Sequence, residues 1–244
     1  MQLMSDAELT LLLAQAVKDF WTIRQRQLAK QTSSGTKDQG ARGAVTGGMQ
    51  MNGFIEAMTQ VILGSGIEKE AIFHQKALEL PGFFRPSKKW DLLVVRNGQL
   101  LAVLESKSQV GPSFGNNFNN RTEEAIGSAV DLWTAYREGA FNKSVRPWLG
   151  YIFLLENCDK SNQAVKVDEP HFKAFPEFIG ASYKKRYELF CRKLVRERHY
   201  DAATFLTSHK KAGLKSEYVE PAEDLAFVPF ARSLNAHLLA AYGK

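Results

Sequence analysis

Three residues in one short stretch have the types and spacing to do chemistry. The segment KKWDLLVVRNGQLLAVLESKS, Lys88 to Ser108, puts Asp91 at the head of one apolar run and Glu105 and Lys107 at the tail of the next. Side chains alternate along a strand, so Glu105 and Lys107 share a face and Ser106 points the other way. Two carboxylates can hold a divalent cation such as Mg²⁺ through oxygen, with the carbonyl of Ser106 as a third ligand. Such an ion polarises a phosphate and acidifies a water beside it. An ammonium at the same place, that of Lys107, stabilises the charge that grows during attack or holds the nucleophile. Hydrolysis of a phosphodiester needs this set. The competing reading is a solvated strand end with an ordinary ion pair. Glu105-Ser106-Lys107 is the chain's one acid-x-lysine triplet, and it ends an apolar strand, where charge needs a reason. The pattern alone leaves both readings open.

The elements around these residues decide whether they can meet. Trp90–Arg96 and Gln99–Lys107 read as two strands, and Asn97-Gly98 between them as a hairpin turn. A two-residue turn would pair Arg96 with Gln99 and set Asp91 opposite Leu104, on the wrong face. A three-residue loop, Arg96-Asn97-Gly98, with Gly98 as the left-handed bulge residue, pairs Val95 with Gln99. That sets Asp91 opposite Val103, diagonal to Glu105 at about 7–8 Å. The bulged loop, or an equivalent splaying of the strands, is therefore expected.

Elsewhere the chain alternates helices and loops. Ser5 with Glu8 is a capping-box pattern opening a helix to about Lys30. Thr32–Gly48 is a glycine-rich loop, and a second helix runs from about Met49 to Leu63, ended by Gly64 and Gly66. Gly111–Asn120 reads as a polar loop, Thr122–Arg137 as a helix, Trp148–Leu155 as a buried strand, Tyr183–Arg198 as a basic helix and Ser233–Tyr242 as a short closing helix. The summary is an α/β (α+β) single domain over 1–244, with a central mixed β-sheet flanked by helices. Its parts are a helical N-terminal region (1–66), a catalytic core (67–160) and a basic, mostly helical C-terminal region (161–244).

Composition narrows the class. Hydrophobic residues make up 44% and charged residues 24% of the 244, which is ordinary for a soluble globular protein. No apolar run reaches the roughly 18 residues of a membrane span, and the N-terminus lacks a signal pattern, so a cytoplasmic protein is expected. Cys158 and Cys191 are too few and too far apart for a disulfide framework or a zinc site. The five histidines show no metal spacing. A net charge of +6 with a pI near 9.2 fits a polyanionic partner.

Longer stretches carry a family likeness. TKDQGARGAVTGG, ELPGFFRPSKKWDLLVV and LESKSQVGPSFGNNFNNRTEEAIGSAVDLW resemble the XhoI family of type II restriction endonucleases, within the PD-(D/E)xK nucleases, over nearly all of the chain. The resemblance implies a restriction-endonuclease-like core and a homodimer that cuts the palindrome CTCGAG in double-stranded DNA, leaving 5′ overhangs. It also implies a companion DNA methyltransferase protecting the bacterial host. Asp91, Glu105 and Lys107 match the family's catalytic positions, with Trp90 where the motif's name has proline. A fourth acidic residue often comes from an upstream helix in such enzymes; Glu56 is the candidate and Glu79 its rival.

DNA contacts have several candidates. Asn116, Asn117, Asn119, Asn120 and Arg121 follow the catalytic strand and carry the groups that bond adenine and guanine edges; the bland alternative is a turn-rich helix cap. Gln109 continues the face of Lys107, or is a surface strand residue. Lys88 and Lys89 precede Asp91 and suit backbone contacts. Lys37 and Arg42, in the glycine-rich loop, can clamp phosphates, unless the loop holds nothing. The basic helix can contact phosphates or simply be solvated. Two rivals to the restriction enzyme remain: a structure-specific nuclease of DNA repair or recombination, and a non-catalytic DNA-binding protein.

Overall fold

The computed structural model describes residues 3–34, 48–142 and 144–242. Its centre is the expected mixed sheet. The strands β1 (Ile72–Phe73), β4 (Leu92–Arg96), β5 (Gln99–Gln109), β6 (Trp148–Glu156) and β7 (Ala202–Ser208) lie in that order across it. Strands β1, β4 and β5 are antiparallel; β5, β6 and β7 are parallel. The chain therefore turns back tightly between β4 and β5 but crosses over by helices afterwards, as parallel pairing demands. A separate hairpin pairs β2 (Glu79–Pro81) with β3 (Ser87–Lys89).

Each sheet face buries its own core. Leu92, Val94, Leu104, Ile152 and Leu206 pack against α1 (Asp6–Ser34), α2 (Asn52–Gly64) and α5 (Phe227–Tyr242). Leu93, Val103, Tyr151, Phe153 and Phe205 pack against α3 (Phe114–Arg137) and α4 (Tyr183–Arg196). Burial on both faces explains why β6 reads as a continuous apolar run. At the start of α1, Ser5 and Glu8 form the reciprocal cap that their spacing predicts. Glu8 Oε2 accepts from the Ser5 backbone at 2.7 Å, and Ser5 Oγ accepts from the Glu8 backbone at 3.3 Å. No helix among the described residues is long and apolar enough to cross a membrane.

Three elements differ from the sequence expectation. Helix α3 begins at Phe114, eight residues before Thr122 (114 against 122), and absorbs all but the first three residues of the expected polar loop. Asparagines are weak helix formers, but Phe114 stacks on Tyr183 with centroids 5.7 Å apart, and Phe118 meets Tyr187 edge-on at 5.0 Å. Packing of that stripe overrides propensity. Helix α5 starts at Phe227, ahead of Ser233, because Phe227 and Phe230 are buried and Pro229 falls in the first turn, where a missing N–H costs nothing. Strand β7 lies in the stretch read as mostly helical, so the C-terminal third completes the sheet.

Gly150, near the start of β6, faces the Trp148 ring and Phe230. A methyl group there would overlap the Trp148 ring and come within 3.0 Å of Phe230. Gly150→Ala is expected to destabilise the fold by about 1–3 kcal/mol through overpacking. Urea unfolding of the two proteins measures it, and an unchanged midpoint would refute the fit described.

Candidate active site

The β4–β5 hairpin brings the three residues together, by a route other than the expected loop. Asn97 and Gly98 form a two-residue turn, both with positive φ (50° and 72°), and Arg96 pairs with Gln99. The correction to the face is made inside the ladder. Val95 pairs with Leu100 but Val94 pairs with Ala102, so Leu101 is a bulge with no partner. From there on the register is Leu93 with Val103 and Leu92 with Leu104, which continues to Asp91 opposite Glu105. The Asp91 backbone donates to the Leu104 carbonyl at 3.2 Å. Strand β4 starts at Leu92, so the Ser106 N–H has run beyond its ladder. The Asp91 side chain supplies the acceptor instead: Oδ2 takes the Ser106 N–H at 2.7 Å and its hydroxyl at 3.0 Å.

Charge at the site is tightly coupled. Glu105 is 3% exposed. Burial alone would raise its pKa, but the ammoniums of Lys107 and Lys88 outweigh it and hold the carboxyl below its ordinary range. Lys107 contacts Glu105 Oε1, and Lys88 Nζ donates to Oε2 at 2.8 Å. Burial lowers the proton affinity of Lys107, and the charges of Glu105 and Asp91 more than reverse it, so Lys107 stays cationic. Asp91 is the opposite case. Burial first, and then the Glu105 charge, raise its pKa, and Lys107 with the two Ser106 bonds offsets only part. Two carboxylates face each other at the cost of their own repulsion, and the Oδ1 of Asp91 accepts no hydrogen bond among the described residues. That arrangement fits a small divalent cation, which needs only one or two protein carboxylates and keeps waters. No cluster of three or more histidine, cysteine or acidic ligands occurs among the described residues.

Glu105 and Lys107 form the floor of a cleft of about 600 Å³. One wall is the β2–β3 hairpin, with Phe84, Arg85 and Lys88; the other is α3, with Arg121, Glu124, Ser128 and Asp131. Asp131 is a residue that sequence reasoning missed. It is 4% exposed, accepts the backbone N–H of Phe83 and Phe84 at 2.8 Å each, and accepts Arg85 Nε at 2.7 Å. Its one sequence signal is an acid within an apolar stretch, Ala129 to Trp133.

The other candidates separate. Lys88, expected as a backbone contact, is drawn onto Glu105 and lies 4.3 Å from the Trp90 ring centre, within the cleft; Lys89 is exposed. Gln109 is neither a surface residue nor a free amide. It is 2% exposed and donates to the carbonyls of Val110 and Ser113, tying down the turn into α3. Asn116, Asn119 and Asn120 are exposed on the first turns of α3, a helix where a loop was expected. Asn117 donates back to the Ser113 carbonyl at 2.6 Å, and Arg121 pairs with Glu124 at the cleft. Glu56 lines a groove with Asp19, Arg26 and His74 on α1, α2 and the chain beyond β1. Helix α2 packs on the sheet face opposite Glu105, so the structure does not bring Glu56 to the site. Glu79 is exposed on β2, opposite Lys89. Lys37 and Arg42 lie outside the described residues. In the basic helix α4, Arg192 pairs with Glu188 and Asp224, Lys193 with Glu177, and Lys185 with Glu188. Those cations are engaged within the molecule.

The raised pKa of Asp91 has a stability consequence. The folded state binds this proton more tightly than the unfolded chain. The stabilisation is fully present below the ordinary aspartate range and is lost as pH rises through the raised value. Asp91→Asn keeps an acceptor for Ser106 and removes the charge. Without divalent ions it should melt higher than the wild type at neutral pH, and the advantage should vanish below roughly pH 3.9. A melting series against pH tests this; a lower or equal Tm at neutral pH contradicts it.

Comparison with known proteins places the chain. The family model for restriction endonuclease XhoI matches residues 30–220. Type II restriction enzyme BstVI of Geobacillus stearothermophilus is 55% identical over 207 residues, 83% of this chain and 92% of that protein. Type II restriction enzyme XhoI of Xanthomonas vasicola is 44% identical over 191 residues, 78% and 76% of the two chains. Type II restriction enzyme AbrI of Azospirillum brasilense is 51% identical over 160 residues, 65% and 72%. No solved structure matches the chain. With a family match over most of its length and relatives 44–55% identical that are type II restriction enzymes, the chain belongs to the XhoI restriction endonuclease family.

Proposed function

We propose that the enzyme hydrolyses double-stranded DNA at the palindrome CTCGAG with Mg²⁺ as cofactor and leaves 5′ overhangs. The observation that carries the reading is the opposition of Asp91 and Glu105, with Glu105 and Lys107 at the floor of an open cleft. In this reading Asp91, Glu105 and the Ser106 carbonyl hold the cation, which when bound polarises the scissile phosphate. Glu105 stays ionised because two ammoniums neutralise it. Lys107, kept cationic by the same carboxylates, faces the phosphate and offsets its growing charge. A two-fold dimer matches the two-fold symmetry of a palindrome and sets one such site on each strand. The exposed Asn116, Asn119 and Asn120, and Lys89, lie on elements that flank the cleft, which supports their contact with DNA. A cytoplasmic setting beside a protecting methyltransferase belongs to the same reading.

A plasmid digest with Mg²⁺ tests it, comparing the wild type with Asp91→Ala and Glu105→Ala and mapping the ends. Discrete fragments ending at CTCGAG are expected from the wild type, with at least about 1,000-fold slower cutting in each variant, the scale of several kcal/mol of transition-state stabilisation. Fragments with other ends refute the site. Variants that cut at the wild-type rate refute the assignment of the carboxylates.

A further inference from the structure

We infer that Arg85 binds a backbone phosphate of the DNA in the cleft, and that Asp131 is the positioning residue that holds it there. The inference rests on the endonuclease reading of the cleft. It starts from the position of Asp131. A carboxylate only 4% exposed on an amphipathic helix is costly unless it is fully satisfied, and all its bonds go to one short segment. Oδ1 takes the Phe83 and Phe84 amides and Oδ2 takes Arg85 Nε. The arrangement holds the carboxyl below its ordinary range, against the desolvation of burial.

The segment so held is the tip of the β2–β3 hairpin, and it is fitted closely to Asp131. A Cβ on Gly82 would lie 2.6 Å from Asp131 Oδ2 and 2.7 Å from the Arg85 carbonyl, so only glycine passes there. Little apolar packing holds this tip, since Phe83 is 52% and Phe84 69% exposed, and the bonds to Asp131 take its place. The anchoring also fixes the direction of Arg85. Its Nε is bound to Asp131, its side chain remains 42% exposed, and it lines the same cleft as Glu105 and Lys107. Both terminal nitrogens are without an acceptor among the described residues, whereas Lys88 and Lys107 are held on Glu105 and Arg121 on Glu124. A guanidinium anchored through Nε presents its other edge as a rigid two-pronged donor. That edge matches the two free oxygens of a phosphodiester better than any other ligand in duplex DNA that does not depend on base sequence.

The test is equilibrium binding of the full-length protein to two duplexes, one with CTCGAG and one without, over a series of salt concentrations with Ca²⁺ replacing Mg²⁺. Arg85→Ala should weaken binding to both duplexes about tenfold and lower the slope of log affinity against log salt by about one. Arg85→Lys should restore the slope. Asp131→Asn should shift affinity in the same direction, and combining it with Arg85→Ala should add little. A stapling role alone would lower the melting temperature of these variants and leave the salt slope of the folded protein unchanged. That result, from a wild type that binds and cuts, overturns the inference while the endonuclease reading stands. A loss confined to the CTCGAG duplex also overturns it, in favour of a base contact. A wild type that neither binds nor cuts removes both.

Discussion

A charge buried against a sheet must be neutralised where it lies, and the carboxylate of Glu105 imposes that requirement on everything around it. Leaving an ion of this kind unpaired in the interior costs several kcal/mol. One counter-charge is local: Lys107, two residues on, shares its face. The other, Lys88, comes from a hairpin that has no strand in the central sheet. The β2–β3 hairpin therefore docks where it does for an electrostatic reason at its base and a hydrogen-bonding reason at its tip, where Asp131 binds it. The cleft is the space left between that hairpin and α3.

The two faces of the sheet are built differently. Beneath α1, α2 and α5 the sheet presents mainly aliphatic side chains, Leu92, Val94, Leu104 and Ile152, and the rings there, such as Phe20, Phe54 and Phe230, come mostly from the helices. The face that carries the site is aromatic. Phe153 stacks on Tyr187 at 4.2 Å, and Tyr151 lies 5.1 Å from Tyr200. Burial pushes the Tyr151 and Tyr200 hydroxyls far above their ordinary range, so neither ionises near the Glu105 charge. Tyr151 is the neighbour of Glu105 across the β5–β6 ladder, and Glu105 itself is left almost without exposure. In such surroundings the pairing of Glu105 with its lysines is stronger than the same contacts would be at the surface.

Local signals in the chain were legible, and distant ones were not. The apolar runs around Asn97-Gly98 announce a hairpin, and Ser5 with Glu8 announces a helix start, because each depends on neighbours a few residues away. The meeting of Asp91 with Glu105 was also legible as a necessity, but not its means. A bulge at Leu101 leaves no mark in the text of an apolar strand, since Leu100, Leu101 and Ala102 are all buried whichever way they point. The start of α3 depends on Tyr183 and Tyr187, more than sixty residues further along, and no local pattern reveals such partners. Gln109 and Asp131 look like surface polar residues until the turn and the hairpin they hold are in place.

The bulge also sets a rule for how this hairpin can change by descent. Adding or removing one residue in the turn sends every upstream side chain of β4 to the opposite side, and losing Leu101 does the same. Either change alone would carry Asp91 away from Glu105 while leaving the composition of the strand almost untouched. Both together would cancel. Gaps in this part of the lineage are therefore expected in compensating pairs, with a longer turn where the bulge is missing, and an aligned relative that shows an unpaired gap here would have had to find another source for its first acidic group.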